Sequence, residues 1–181
     1  MKTEDIPGWM LPPELAVLQA AASRLAPGST WVEVGVFCGR SAHAVGLALP
    51  RHAKLYLVDR FRQDYDPAIL PCKLEEIQPR CHAAIADLAI QRPDVSVVLK
   101  KMTSEQAASE LAGPFSVVFI DADHSMTGVL KDCCMWEKKS SILMGHDYHE
   151  TNWPGVVAAV RQKYPHRASV FPDTAIWRVD T

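Results

Sequence analysis

Asp121-Ala122-Asp123-His124 and His146-Asp147-Tyr148-His149 each follow a short apolar run, at 116–120 and 141–144. Carboxylates grouped with imidazoles can hold a hard divalent cation that chelates two substrate oxygens and makes one of them easier to deprotonate. The same imidazoles can instead take a proton directly near neutral pH. Earlier in the chain, Trp31-Val-Glu-Val-Gly-Val-Phe-Cys-Gly39 reads as a buried strand entering a glycine turn, with Asp59 ending the next apolar run. A glycine turn before a helix offers free N–H groups to an anion, and a carboxylate on the neighbouring strand grips ribose hydroxyls. A dinucleotide fingerprint needs a second glycine for the backbone to approach a pyrophosphate, and Phe37 stands in that place. Glu33-x-Gly35-x-x-x-Gly39 therefore suits a cofactor with a ribose and no pyrophosphate, and S-adenosylmethionine is the candidate.

Strands and helices must alternate to bring these groups to one rim. Pro12 and Pro13 open a run with Leu15, Leu18, Ala22 and Leu25 on one helical face. Apolar runs at 31–35, 55–58, 95–99, 116–120 and 141–144 have the continuous character of parallel strands buried on both faces. Helical patterns fall between them at 40–49, 73–91, 104–112 and 126–138, and another follows at 154–164. Pro79 makes the second of these kink or begin later. Thr103-Ser104-Glu105-Gln106 carries a capping box. The strand-like runs 168–171 and 175–179 are separated only by Pro172-Asp173-Thr174, which allows a hairpin and no crossover. The expectation is one α/β domain over 1–181, a doubly wound, mostly parallel seven-stranded sheet with a C-terminal antiparallel hairpin. Residues 1–29 form a helical segment packed on it. The loop at 60–72 is the longest irregular piece and a candidate lid.

A chain of 181 residues with 48% hydrophobic content suits one domain with a sizeable core. Its net charge of -2 argues against a nucleic-acid partner. No apolar run reaches membrane-spanning length, and the N-terminal residues lack a secretory pattern, so a cytoplasmic location is expected. The five cysteines have no paired C-x-x-C spacing, which points to reduced thiols used mostly as small apolar fillers rather than to zinc.

With the glycine motif, Ile120-Asp121-Ala122-Asp123-His124 and Gly145-His146-Asp147-Tyr148 make the chain resemble the class I S-adenosylmethionine-dependent methyltransferases over nearly its whole length. It is most similar to a small bacterial group carrying both strand-end motifs. The resemblance implies that Glu33 and the turn through Gly35, Phe37 and Gly39 hold the methionine portion, with Ser41 near its carboxylate. It implies Asp59, followed by Arg60, on the ribose, Thr103 and Ser104 at the adenine edge, and Asp121 below the methyl. Lys139-Ser140-Ser141 replaces the family's usual Pro-Gly-Gly before the fifth strand. Catechol-like and macrolide sugar methyltransferases place magnesium at these two strand ends, which implies Asp121, His146 and Asp147 as ligands here. Imidazole suits manganese, iron or zinc better than magnesium.

The metal-free alternative makes His124, His146 or His149 the base beside Asp121 and Asp147. Plainer roles are a helix cap for Asp123, a carbonyl partner for His124 and loop positions for Tyr148 and His149. Trp31, Phe119, Trp136 and Trp177 read as core; Phe37, Phe61, Tyr65 and Trp153 could close over ligands. The expected reaction is methyl transfer from S-adenosylmethionine to a small molecule, most often at a hydroxyl oxygen. The group lacks the extra N-terminal helices of catechol-type enzymes, so acceptor recognition falls to loops or to a neighbouring subunit of a homo-oligomer. The rivals are a nicotinamide-dependent oxidoreductase, against which Phe37 counts, a non-catalytic interaction module, and a hydroxylase-like relative.

Overall fold

The computed structural model of the chain describes residues 1–62 and 67–181. Strands β1 (Thr30–Val34), β2 (Lys54–Asp59), β3 (Ser96–Lys101), β4 (Phe115–Ile120) and β5 (Ser140–Gly145) run parallel. Beyond β5 the chain forms β6 (Ser169–Val170) and β7 (Trp177–Asp180), and β7 pairs antiparallel with both β5 and β6. The sheet order is β3-β2-β1-β4-β5-β7-β6, the expected doubly wound sheet with one strand reversed. Of the expected run 168–171 only Ser169–Val170 pairs, because the chain turns at Phe171, whose N–H bonds the carbonyl of Ile176.

Helices α1 (Pro12–Ser23), α2 (Arg40–Ala48) and α3 (Ile77–Gln91) pack on one face. Helices α4 (Ser104–Glu110), α5 (Met126–Trp136) and α6 (Pro154–Lys163) pack on the other. Pro79 is the third residue of α3, a first-turn position where its missing N–H costs no intrahelical bond, so the helix begins late and does not kink there. Trp31, Phe119, Trp136 and Trp177 are buried at 1% exposure or less, as core residues should be. Their burial follows from strand alternation: Trp31 faces α1 and α2, while Val32 and Val34 face α5 and α6. Glu33 shares Trp31's side of β1, so its carboxyl group is driven into the protein toward α2.

The β1–α2 turn positions the site. Gly35 has φ +91°, and a Cβ there would lie 1.9 Å from the carbonyl oxygen of Asp121. Only glycine lets the ends of β1 and β4 approach this closely. Among the described residues, no helix is long and apolar enough to cross a membrane.

Candidate active site

A cavity of about 450 Å³ opens at the carboxyl ends of the parallel strands, the rim where open α/β sheets bind ligands. Gly35, Phe37, Asp59, Thr103, Ser104 and Asp121 line it, and Arg60 and Arg62 stand along one wall. Asp59 does more than face the cavity. Its Oδ2 accepts the N–H groups of Val36 and Phe37, both at 2.8 Å, and its Oδ1 accepts that of Phe61 at 2.6 Å. The carboxylate thus ties the glycine turn to the start of the loop after β2. A carboxylate offers about four lone-pair sites, which leaves one for a ribose hydroxyl.

Three residues expected at the cofactor stand behind the turn rather than on the cavity wall. Gly39, at φ +87°, starts α2, and its N–H bonds the carbonyl of Val36. Ser41 is 6% exposed, and its hydroxyl donates to Glu33 Oε1 at 2.6 Å. Glu33 is fully buried, with Oε2 unpartnered among the described residues. Burial first, then the nearby Asp121 and Asp59 charges, push its carboxyl group up to about 8, so it carries a proton at neutral pH. Ser41 therefore supports Glu33.

At the other end of the cavity, Thr103 and Gln106 form the expected capping box at the start of α4. Ser104 Oγ donates to Asp132 Oδ1 at 2.5 Å and accepts from Trp136 Nε1 at 2.9 Å. Burial raises the Asp132 carboxyl group to about 6. Asp132 lines the cavity and gave no signal in the sequence, since it sits inside an ordinary helical pattern.

Beside the cavity, the acidic and imidazole residues meet as expected, with a different division of labour. His124 Nε2 lies 2.9 Å from Asp147 Oδ2 and 3.9 Å from Asp121 Oδ1. His146 Nδ1 lies 3.5 Å from Asp121 and 3.4 Å from Asp147, but its Nε2 turns to Glu14 Oε1 at 3.0 Å. Both Nε2 atoms make close charge contacts without an aligned hydrogen bond. Among the described residues, the groups whose ligand atoms all fall within 4.8 Å of one another are Asp121, His124 and Asp147. His124, rather than His146, thus joins the aspartates at a potential cation site. Asp147 has φ +60°, and this left-handed turn sets the geometry at the end of β5.

Burial alone would lower the His146 imidazole, but the carboxylates of Asp121, Asp147 and Glu14 push it up to about 12. The same opposition raises His124 to about 9, and Asp121 and Asp147 are held below the usual carboxylate range despite burial. Two imidazolium rings therefore supply, between the carboxylates, the positive charge that a cation would supply.

Ser125, not Asp123, caps α5: its Oγ accepts from Gly128, while Asp123 accepts the N–H of Ser125. His149 accepts from the Asn152 N–H at 3.2 Å, and Tyr148 OH accepts from Arg161, so both belong to the β5–α6 loop rather than to the cluster. Trp153 packs on His124 with ring centroids 4.2 Å apart, and Phe37 packs on Trp9 at 4.9 Å. Phe61 is 4% exposed and belongs to the core; Tyr65 lies outside the described residues.

Sequence reasoning missed Glu14. This α1 carboxylate is 5% exposed and accepts the N–H groups of Leu11 at 2.8 Å and Ala175 at 3.1 Å while facing His146. Glu14→Ala is expected to lower the unfolding free energy by about 3 kcal/mol in urea titrations, because it strands two N–H groups and a buried cation at once. A loss below about 1 kcal/mol would show that these contacts carry little weight.

A family model described as a methyltransferase domain matches residues 32–148, from β1 through the end of the acidic cluster. A sequence search of curated proteins gives no significant match. Among solved structures, an O-methyltransferase from Bacillus cereus in complex with SAH superposes with a TM-score of 0.63 at 17% identity, covering 98% of this chain and 86% of that one. An O-methyltransferase of tomaymycin synthesis from Streptomyces achromogenes, in complex with SAM, gives 0.63 at 15% identity over 96% and 82%. A putative rRNA-methylase from Clostridium thermocellum gives 0.65 at 12% identity over 95% and 99%. At these identities the superpositions establish the fold, and the family match establishes descent. The chain belongs to the methyltransferase-domain family and has the sheet order of the class I S-adenosylmethionine-dependent methyltransferases.

Proposed function

We propose that this protein transfers the methyl group of S-adenosylmethionine to a hydroxyl oxygen of a small molecule. The observation that carries this reading is the position of Asp121, which lines the cofactor-sized cavity and also belongs to the acidic cluster. Donor and acceptor would meet at that residue. The Gly35–Phe37 turn and Asp59 would hold the nucleoside, with Thr103 and Ser104 at the far end. A small acceptor is favoured over nucleic acid because the chain has a net charge of -2 and no basic excess.

Bound donor supplies an electrophilic methyl; the S–CH₃ bond breaks as the O–CH₃ bond forms, and the electron pair stays on sulfur. The protein aligns the acceptor oxygen with that bond and removes its proton. His146 is poorly suited to take that proton, because three carboxylates hold it as an imidazolium. His124 is also held as an imidazolium by Asp121 and Asp147, but less strongly, and it is half-exposed and packed against Trp153.

The donor set also fits a divalent cation. Two carboxylates and an imidazole lie within 4.8 Å, and the buried His124 Nε2 lacks an aligned hydrogen bond. Asp121, Asp147 and His124 would hold such an ion, and the nitrogen ligand favours manganese-like over magnesium-like chemistry. The ion would lower the pKa of a coordinated acceptor hydroxyl.

Calorimetry with S-adenosylhomocysteine, set against NAD, tests the cofactor. Micromolar binding of the former alone is expected; binding of NAD alone would transfer the chain to the oxidoreductases. Manganese alone, followed by electron paramagnetic resonance, tests the ion site. Asp121→Ala should weaken manganese binding more than tenfold while changing S-adenosylhomocysteine affinity only a few-fold, and equal manganese binding by variant and wild type would remove the metal from the mechanism.

A further inference from the structure

Two thiols meet directly behind the cofactor turn. Cys38 lies between Phe37 and Gly39, and its Sγ is 3.6 Å from that of Cys72, which ends the segment after β2. Cys38 is fully buried, while Cys72 is half-buried and so reachable from solvent. The Arg80 guanidinium lies near both sulfurs, but burial dominates at Cys38 and holds it as a thiol. The separation is van der Waals contact, and a disulfide needs about 2.05 Å, so roughly 1.5 Å of approach closes the bond.

We propose that Cys38 and Cys72 form a reversible disulfide that ties the cofactor turn to the segment after β2 and weakens cofactor binding. Nothing in the methyl-transfer reading requires either thiol. The oxidant is a low-molecular-weight disulfide such as oxidised glutathione. Cys72 thiolate attacks it, forming a mixed disulfide and releasing one glutathione thiolate. Cys38 then gives up its proton and attacks Cys72 Sγ, expelling the second. The balance is two protein thiols and one oxidised glutathione going to one protein disulfide and two reduced glutathiones. Cys72 is the entry point because Cys38 is both sealed from solvent and held as a thiol by burial.

The bond would be felt at the cofactor because the turn has little slack. Asp59 pins the N–H groups of Val36 and Phe37, and Phe37 and Gly39 both sit at positive φ. Drawing Cys38 toward Cys72 must deform the stretch whose Gly35 and Phe37 line the cavity. The effect on the donor rests on the proposed function; the disulfide itself does not.

The test incubates the full chain with oxidised glutathione and maps cross-linked peptides by mass spectrometry, with S-adenosylhomocysteine titrations before and after. A Cys38–Cys72 peptide is expected, with the dissociation constant raised at least threefold and restored by dithiothreitol. Cys72→Ser, at the more exposed position, should abolish both changes, and Cys134→Ser, at an exposed thiol elsewhere, should abolish neither. Absence of the 38–72 linkage overturns the proposal, and so does a linkage that leaves affinity unchanged. If reduced protein fails to bind S-adenosylhomocysteine, the methyltransferase reading falls and the weakening with it, while the peptide map still decides whether the pair closes.

Discussion

Asp59→Ala is expected to raise the dissociation constant for S-adenosylhomocysteine well over tenfold and, at the same time, to lower the unfolding free energy by about 3 kcal/mol. The pairing of the two effects distinguishes this carboxylate from a residue that only touches ligand. It gathers three backbone N–H groups from two loops, and alanine would remove these three bonds in a largely buried place. The turn would lose the bonds that hold Val36 and Phe37 in position, and the ribose would lose its acceptor in the same substitution. Asp59→Asn separates the contributions: one amide oxygen can still accept from the turn, while the amide nitrogen faces the Phe61 N–H with no lone pair. Its affinity should fall between wild type and alanine. Calorimetry for binding and urea unfolding for stability read the two effects separately, and an Asp59→Ala protein that binds as tightly as wild type would remove the carboxylate from the cofactor site.

Much of this site was legible because local physics controls it. Continuous apolar runs identified five parallel strands, and the short link near Pro172 identified the reversed one. The capping box at Thr103 formed as its residue types require. Phe37, taken from the sequence as evidence against a pyrophosphate, does occupy the cavity wall beside Gly35. What escaped was decided over long distances. Glu14 sits on an unremarkable amphipathic pattern, and only the sheet's closure brings α1 to His146 and to the backbone of Ala175. The different surroundings of His124 and His146 have the same origin: Glu14 faces His146 Nε2, which is more buried, while His124 is more exposed. Asp123 and Ser125 are both good capping types two positions apart, and periodicity alone does not decide between them. Cys38 and Cys72 belong to the same class, since the fold rather than any cysteine spacing brings their sulfurs together.

Glu33→Gln should change the pH dependence of stability between pH 5 and pH 8. The carboxyl group is fully buried, with one oxygen satisfied by Ser41 and the other unpartnered among the described residues. Burial disfavours the charged form and raises it from its ordinary 4.5 to about 8. Below pH 4.5 the group is protonated in both folded and unfolded chains and contributes no pH dependence. Between 4.5 and about 8 the unfolded chain releases the proton while the folded protein keeps it, so stability falls as pH rises. Above that interval both states are ionised and the penalty is constant, at about 5 kcal/mol by linkage. Glutamine is nearly isosteric, can accept from Ser41 through its amide oxygen, and never ionises. The difference in unfolding free energy between variant and wild type should therefore grow in the variant's favour from pH 5 to pH 8, whatever the histidine cluster adds to both proteins. Urea titrations at intervals across that range measure it. A difference that stays flat would mean that Glu33 ionises normally in the folded protein, and that a charge rather than a proton sits beneath the glycine turn.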